Sequence, residues 1–292
     1  MNVPLRPKDT LLGLTAGAGV FVACWVGLRM ESPAAIALGV GVSAAALTLV
    51  FFATYRRFER IGKAVENNYK QLEGLVSILA CLQPERPLPP LRDWAISPDL
   101  AHIIISNVFL RRPENILEFG SGTSTLLLGY CLKKLGRGKV WSIEHDGEYA
   151  EAWRKAVQSH GLEDRAAVIH APLCKPTSPG WPPLWYDLNF LEGVPPVDMV
   201  IVDGPPSHLG EMMRYPALPS TYPLLAKDAI LIMDDAFRVQ ERKVVGAWLE
   251  KFPDFECQWV DTEKGTAILR RVSSPARSGL NARPSPRHKE VG

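Results

Sequence analysis

The chain is poor in cysteine, in charge of one sign and in complete nucleotide-binding motifs. Its 292 residues include five cysteines, Cys24, Cys81, Cys131, Cys174 and Cys257. They form no C-x-x-C pair and no even framework, which excludes a zinc ribbon and a disulfide scaffold. We read them as reduced, mostly buried thiols in a cytosolic setting. The formal net charge is +2 and charged residues make up 22% of the chain, so no strong field exists to hold a nucleic acid, and no such partner is indicated.

What the chain has in quantity is apolar sequence, 47% of its residues. Two uncharged runs, 11–28 and 34–53, each approach the roughly 20 residues that cross a bilayer as a helix. Residues 29–33 between them form a short turn carrying Arg29 and Glu31. A signal peptide has a shorter apolar stretch of about 7 to 15 residues, so residues 1–55 read as a transmembrane helical hairpin whose partner is the lipid bilayer. Arg6 and Lys8 precede the first run, and Arg56, Arg57, Arg60 and Lys63 follow the second. The positive-inside bias therefore places both ends, and the domain that follows, in the cytoplasm.

Residues 56–83 carry apolar side chains at Phe58, Ile61, Val65, Leu72, Leu75, Leu79 and Leu82, spaced for an amphipathic helix and interrupted by Asn68. Self-association through residues 58–82 and packing against the chain's own domain are both open. Residues 84–97 begin with Pro84, Pro87, Pro89 and Pro90, which cannot continue a helix and predict an extended linker at a domain boundary. Residues 273–292 are rich in Ser, Pro and Arg, lack apolar periodicity, and are expected to be disordered.

Between linker and tail, residues 98–272 alternate helices and strands. Ser97 and Pro98 open a helix through about residue 110. Strands are expected at 115–119, 139–143, 166–170, 197–202 and 229–233, with helices at 123–135, 147–159, 208–225 and 239–252. Two last strands, 256–262 and 266–272, are joined by Glu263, Lys264 and Gly265 as a hairpin. The implied architecture is a Rossmann-like, seven-stranded, mostly parallel sheet with a C-terminal antiparallel hairpin, whose ligands bind at the carboxyl ends of the strands.

Two strand ends carry recognisable chemistry. The first runs through Glu118 and Phe119 into Gly120, Ser121 and Gly122, which lets the backbone turn sharply beside the open N-terminus of a helix. Thr125 stands where a third glycine would complete the pyrophosphate fingerprint. The second strand ends at Glu144, His145 and Asp146. An acid there can accept hydrogen bonds from a ribose diol, or it can cap the next helix, which suits Asp146 better than Glu144.

Together these features resemble the class I S-adenosylmethionine-dependent methyltransferases, which carry one acid before the glycine turn and another closing the second strand. Asp203 after the fourth strand, Asp234 and Asp235 after the fifth, and the closing hairpin extend the resemblance over nearly the whole domain. It implies that Gly120, Ser121 and Gly122 line the methionine end of S-adenosylmethionine, and that Glu144 holds the ribose. His170 or Ala171 would lie near the adenine, and Glu118 would act through the turn and the methionine amino group.

Adjacent strands are about 4.8 Å apart, so Asp203, Asp234 and Asp235 can share a proton or a cation. Their placement is similar to the ligand set of the metal-dependent catechol-type O-methyltransferases, with Asp235 where that family has Asn. A magnesium or other divalent ion there would activate an acceptor hydroxyl, whereas without one Asp203 and Asp234 would be the catalytic groups. Arg214, Tyr215, His208 and Arg238 are candidates for an acceptor pocket. Trp181, Trp185 and Tyr186 are candidates for an aromatic lid, or for packing of a loop on the core.

The expected activity is therefore methyl transfer to an unidentified acceptor, through oxygen or nitrogen. A nicotinamide-dependent oxidoreductase is disfavoured by the missing third glycine and by the hairpin, and a non-catalytic, cofactor-binding scaffold at the membrane by the joint presence of Glu118, Glu144 and Asp203. The hairpin topology makes a direct prediction. Reporters fused after residue 8 and after residue 292 should both read cytoplasm, and the protein should stay in membranes through a carbonate wash. A reporter on the far side would refute the topology, and release by carbonate would refute the anchor.

Overall fold

The computed structural model describes residues 33–176, 178 and 180–272, together with Gly19, Val22, Trp25 and Arg29. Apart from Gly19, Val22 and Trp25, the expected first span lies outside the described residues, as do Cys24 and the expected disordered tail. The chain divides into two compact units, residues 1–69 and 70–292.

In the first unit the second apolar run is helical, as expected, but it does not stop at residue 55. It continues as one 50-residue helix, α1 (Pro33–Leu82), into the second unit. No proline interrupts residues 54–70, and Arg, Lys and Glu sustain helix well, so nothing separates the apolar run from the amphipathic stretch. Leu38, Leu47 and Phe51 are exposed. Among the described residues this is the one helix long and apolar enough to cross a membrane.

The second unit is built on a seven-stranded sheet. Its strands are β1 (Asn115–Phe119), β2 (Lys139–Glu144), β3 (Ala166–His170), β6 (Val197–Val202), β7 (Leu225–Met233), β8 (Phe255–Val260) and β9 (Thr266–Arg271), in the order β3-β2-β1-β6-β7-β9-β8. The first five are parallel, and β9 runs antiparallel to both β7 and β8. The central strands β1, β6 and β7 are buried on both faces over most of their length, as the near-continuous apolar runs of a covered parallel sheet require.

One face, through Ile116, Met199, Ile201 and Ile230, packs under α2 (Pro98–Arg111), α3 (Thr123–Leu135) and α4 (Gly147–Ser159). The other, through Leu117, Phe119, Val200 and Leu231, packs under α6 (Val239–Lys251) and the aromatic pair Trp185 and Tyr186. Phe119 pairs with Val202, and Val202 with Met233. This register sets the next residues, Gly120, Asp203 and Asp234, along one edge of the sheet.

Three expectations need correction. Residues 208–225 are not one helix: a 3₁₀ turn at Ser207–Leu209, the short α5 (Ala217–Thr221) and a second turn at Tyr222–Leu224 replace it. Pro216, Pro219 and Pro223 interrupt any longer helix. Strand β7 begins at Leu225 rather than residue 229. A two-stranded ribbon, β4 (Leu173–Cys174) with β5 (Trp185–Tyr186), was not expected, because two-residue strands leave no period to read.

The expected linker is also not a boundary. Residues 84–97 belong wholly to the second unit, where Ile96 is buried and Leu88 and Leu91 pack against the core. Prolines forbid helix there, but an extended segment can still lay apolar side chains on a surface. From Lys70 onward α1 joins the same core through Gln71, Gly74, Ile78 and Leu82, while Leu72 and Leu79 are exposed. Of the expected apolar stripe, Leu82 is buried in this core, while Phe58, Ile61, Val65, Leu72 and Leu79 are exposed.

A Cβ added at Gly74 would lie 2.8 Å from the Pro98 carbonyl oxygen, whereas one at Gly246 in α6 would meet nothing within 4 Å. Replacing helical glycine by alanine usually stabilises by about 1 kcal/mol. Gly246→Ala should therefore raise the unfolding midpoint of the full chain and Gly74→Ala should lower it, as thermal denaturation would read. An equal gain at both would refute the close packing of α1 on α2.

Candidate active site

The site forms where the strand order reverses, between β1 and β6, at their carboxyl ends. Gly120 sits at φ +93°, and a Cβ there would lie 3.0 Å from the Gly204 amide nitrogen. The turn is held by Gly120 N–H donating to the Ile143 carbonyl at 2.9 Å and Gly204 N–H donating to the Phe119 carbonyl at 2.7 Å. These two turns touch backbone to backbone, leaving the first turn of α3 open above them with its N–H groups at the cavity.

Glu118 lies beneath the turn, fully buried. Its Oε2 accepts from the Thr125 hydroxyl at 2.5 Å and the Ser142 hydroxyl at 2.6 Å. Because Ser142 spends its proton on Glu118, the 2.8 Å contact between the Ser121 and Ser142 hydroxyls must be donated by Ser121. Thr125 Oγ1 also accepts from Gly122 N–H at 3.1 Å. Thr125, where a third glycine would stand, thus fastens the turn to the buried acid. Burial raises the Glu118 carboxyl above its usual range, and the hydroxyls of Ser124, Ser142 and Thr125 oppose that rise. Glu118 does not line the cavity.

Glu144, 3% exposed, does face it. Its Oε1 accepts from the amides of His145 and Asp146 at 2.8 and 3.0 Å, while Oε2 accepts from the Ser121 amide at 3.2 Å. His145 Nδ1 lies 2.7 Å from Oε1, and this hydrogen bond raises the His145 pKa. Asp146 caps α4 by accepting from Tyr149 N–H at 2.8 Å, which leaves Glu144 as the acid available to a diol.

The cavity encloses about 580 Å³, within the range of small-molecule sites. Its floor is Gly120 to Ser124, one wall is Glu144, His145 and Tyr149, and another is Tyr186, Asp203 and Gly204. The third wall is the segment from Pro89 to Ile96, which we expected to be a spacer. Arg92 fixes that wall by a paired contact to Glu263, with Nη2 2.7 Å and Nε 2.9 Å from its oxygens, and Lys264 Nζ donates to the Ala95 carbonyl at 3.0 Å. The terminal hairpin therefore holds the proline-rich strap over the site. The apolar residues at 88, 91 and 96 were its sequence signal.

Apart from Tyr186, the other candidate residues fall outside the cavity lining. His170 is exposed, its ring against Gly147 and its Nε2 3.2 Å from the His145 carbonyl. Ala171 is buried and donates its amide to the Glu144 carbonyl at 2.8 Å. His145, Asp146 and Tyr149 take the cavity positions beyond Glu144 instead. His208 is exposed, and Tyr215 gives its carbonyl to Trp248 Nε1. Trp185 and Tyr186 are core residues, with rings 5.2 and 5.5 Å from Phe119. Among the four described cysteines, all free, Cys174 is exposed.

Asp203, Asp234 and Asp235 do meet, each offering a carboxylate oxygen within 4.8 Å of the others. They are already occupied by cations. Arg214, 4% exposed, places Nη2 3.2 Å from Asp203 Oδ1 and 2.9 Å from Asp235 Oδ2. It also donates to the carbonyls of Asp203 and Asp234 at 2.7 and 3.0 Å. Lys264 lies 3.2 Å from Asp234 Oδ2, and Arg238 lies 2.8 Å from Asp235 Oδ2.

A divalent ion bonds to carboxylate oxygens at roughly 2.0 to 2.6 Å, and here it would compete with a guanidinium nitrogen for the same oxygens and face three positive side chains. The residues present do not fit a metal. Asp235 does not cap α6 either, since its side chain is turned to Arg214 and Arg238. Asp203, 18% exposed, is the member of the cluster that lines the cavity. Burial, with Asp234 and Asp235 beside it, pushes its carboxyl up to about 8 against the opposing pull of Arg214.

Residues 117–236 match the family model described as a methyltransferase domain. The matched stretch lies within the second unit and is consistent with the class I S-adenosylmethionine-dependent methyltransferases that the sequence resembles. Among solved structures, the SAH-bound methyltransferase PaMTH1 of Podospora anserina is 17% identical, with a TM-score of 0.52, over 73% of this chain and 96% of that one. The SAH complex of a Bacillus cereus O-methyltransferase is 16% identical, with a TM-score of 0.47, over 70% of this chain and 90% of that one. The first of these likenesses shows the shared fold. No curated protein sequence matches the chain.

Two hydrogen bonds from a diol to a buried carboxylate are worth roughly 1.5 to 3 kcal/mol each. Glu144→Ala should weaken S-adenosylmethionine binding by about tenfold or more without unfolding the chain, as calorimetric titration beside circular dichroism would measure. Unchanged affinity would remove Glu144 from the site.

Proposed function

We propose that the domain methylates an oxygen nucleophile at the cytoplasmic face of a membrane, using S-adenosylmethionine. The observation that carries this reading is the gathering of the glycine turn, Glu144 and Asp203 around one cavity at the sheet's switch point. S-adenosylmethionine supplies a methyl group made electrophilic by its sulfonium when bound. Gly120, Ser121, Gly122 and the open end of α3 hold the methionine end, Glu144 holds the ribose, and His145, Asp146 and Tyr149 flank the adenine. Glu118 acts beneath the turn, keeping Ser121 and Thr125 in place.

A hydroxyl acceptor has to be oriented and to lose its proton, and Asp203 is the carboxylate placed to do both. With its pKa pushed up to about 8, its ionised form is a stronger base than an ordinary carboxylate, and that form gains population as pH rises toward 8. Asp234 supports it through Lys264 rather than by touching the acceptor, because it is 1% exposed and does not line the cavity. Anchoring is supported by the exposed apolar surface of α1 and by the basic cluster Arg56, Arg57, Arg60 and Lys63 behind it. In this reading residues 11–28 supply a second span.

The test is methyl transfer from labelled S-adenosylmethionine with membrane extract as the acceptor source. Asp203→Asn should lower turnover by about 100-fold or more while cofactor affinity stays within about threefold. Full turnover by Asp203→Asn would remove it from the chemistry, and loss of cofactor affinity would move it to the binding site.

A further inference from the structure

We propose that Arg214 is a built-in substitute for a divalent cation, filling the space between the three strand-end carboxylates so that the site admits a metal only when Arg214 is removed. The register of β6 and β7 brings Asp203, Asp234 and Asp235 together, and they would repel unless a positive charge lay among them. Arg214 supplies it from the loop after β6. A single nitrogen, Nη2, bonds Asp203 Oδ1, Asp235 Oδ2 and the Asp203 carbonyl at 3.2, 2.9 and 2.7 Å, while Nη1 bonds the Asp234 carbonyl at 3.0 Å. One group thus bridges both strand ends, which is the task of a bridging cation.

The placement is deliberate in its surroundings too. Arg214 is 4% exposed, and Lys264 and Arg238 complete the neutralisation of Asp234 and Asp235 from the outside. The planar guanidinium suits this because it offers several donors in fixed directions and stays protonated when buried. Asp203 keeps one face toward the cavity. The proposal leans on the methyltransferase reading for what the site serves, but the occupancy of the cation position stands without it.

The experiment is a titration of the detergent-solubilised full chain with Mn²⁺, followed by the electron paramagnetic resonance of the free ion, with S-adenosylmethionine affinity measured in parallel. Wild type should show no saturable binding below about 1 mM. Arg214→Ala should bind one ion per chain, which the further substitution Asp203→Asn should abolish, and Arg214→Lys should behave as wild type. Saturable Mn²⁺ binding by wild type that disappears in Asp203→Asn would overturn the proposal, as would a folded Arg214→Ala that binds none. Should Arg214→Ala fail to fold alone, Mn²⁺ present during refolding should restore it, and failure to do so would equally count against the proposal. None of these outcomes depends on methyl transfer, and a loss of cofactor binding in wild type would speak against the functional reading only.

Discussion

Everything at the site depends on two turns that touch. Gly120 at the end of β1 and Gly204 after β6 lie so close that a Cβ on either would press to 3.0 Å from the other's backbone. This contact exists because β1 and β6 are hydrogen-bonded neighbours at the point where the strand order reverses. A side chain at position 120 would also be strained by its positive φ, so glycine is required twice over. With the turns in contact, the end of α3 stays open, Glu144 stands on one side and Asp203 on the other. The buried chain from Ser121 through Ser142 to Glu118 then fixes the turn from below.

Electrostatics shape the other side of the cavity. Three carboxylates at adjacent strand ends are costly unless neutralised, and Arg214 does this from within the protein. Removing one partner of such a buried pair costs about 3 to 5 kcal/mol, so the cluster is a fixed part of the fold as well as of the site. Lys264 joins both tasks: it holds Asp234 and, through the Ala95 carbonyl, the strap over the cavity. Arg92 and Glu263 do the same further out. The antiparallel hairpin thereby contributes to ligand enclosure through its connecting turn.

Much of this was legible in the sequence, and the exceptions have physical causes. Apolar strands such as 115–119 and 197–202 announce themselves because a doubly covered sheet buries both faces of its central strands. The glycine turn and Glu144 follow from their places at strand ends. The prolines at 216, 219 and 223 are helix breakers that the expected helical region at 208–225 passes over. The strap is hidden in the sequence because proline reports only that helix is forbidden, and says nothing of whether an extended segment docks. Arg214 is the clearest case of what sequence withholds. Its charge marked it as a pocket candidate, but its burial among three aspartates comes from the pairing of β6 with β7, a long-range fact. His170 illustrates the converse, since it ends the expected strand but its ring turns toward Gly147.

The central claim is that this cavity is built for S-adenosylmethionine rather than for a dinucleotide. Calorimetric titration of the solubilised full chain with S-adenosylmethionine and, separately, with NAD⁺ tests it most directly. The account predicts saturable binding of one S-adenosylmethionine per chain and no binding of NAD⁺. Binding of NAD⁺ without binding of S-adenosylmethionine would contradict it.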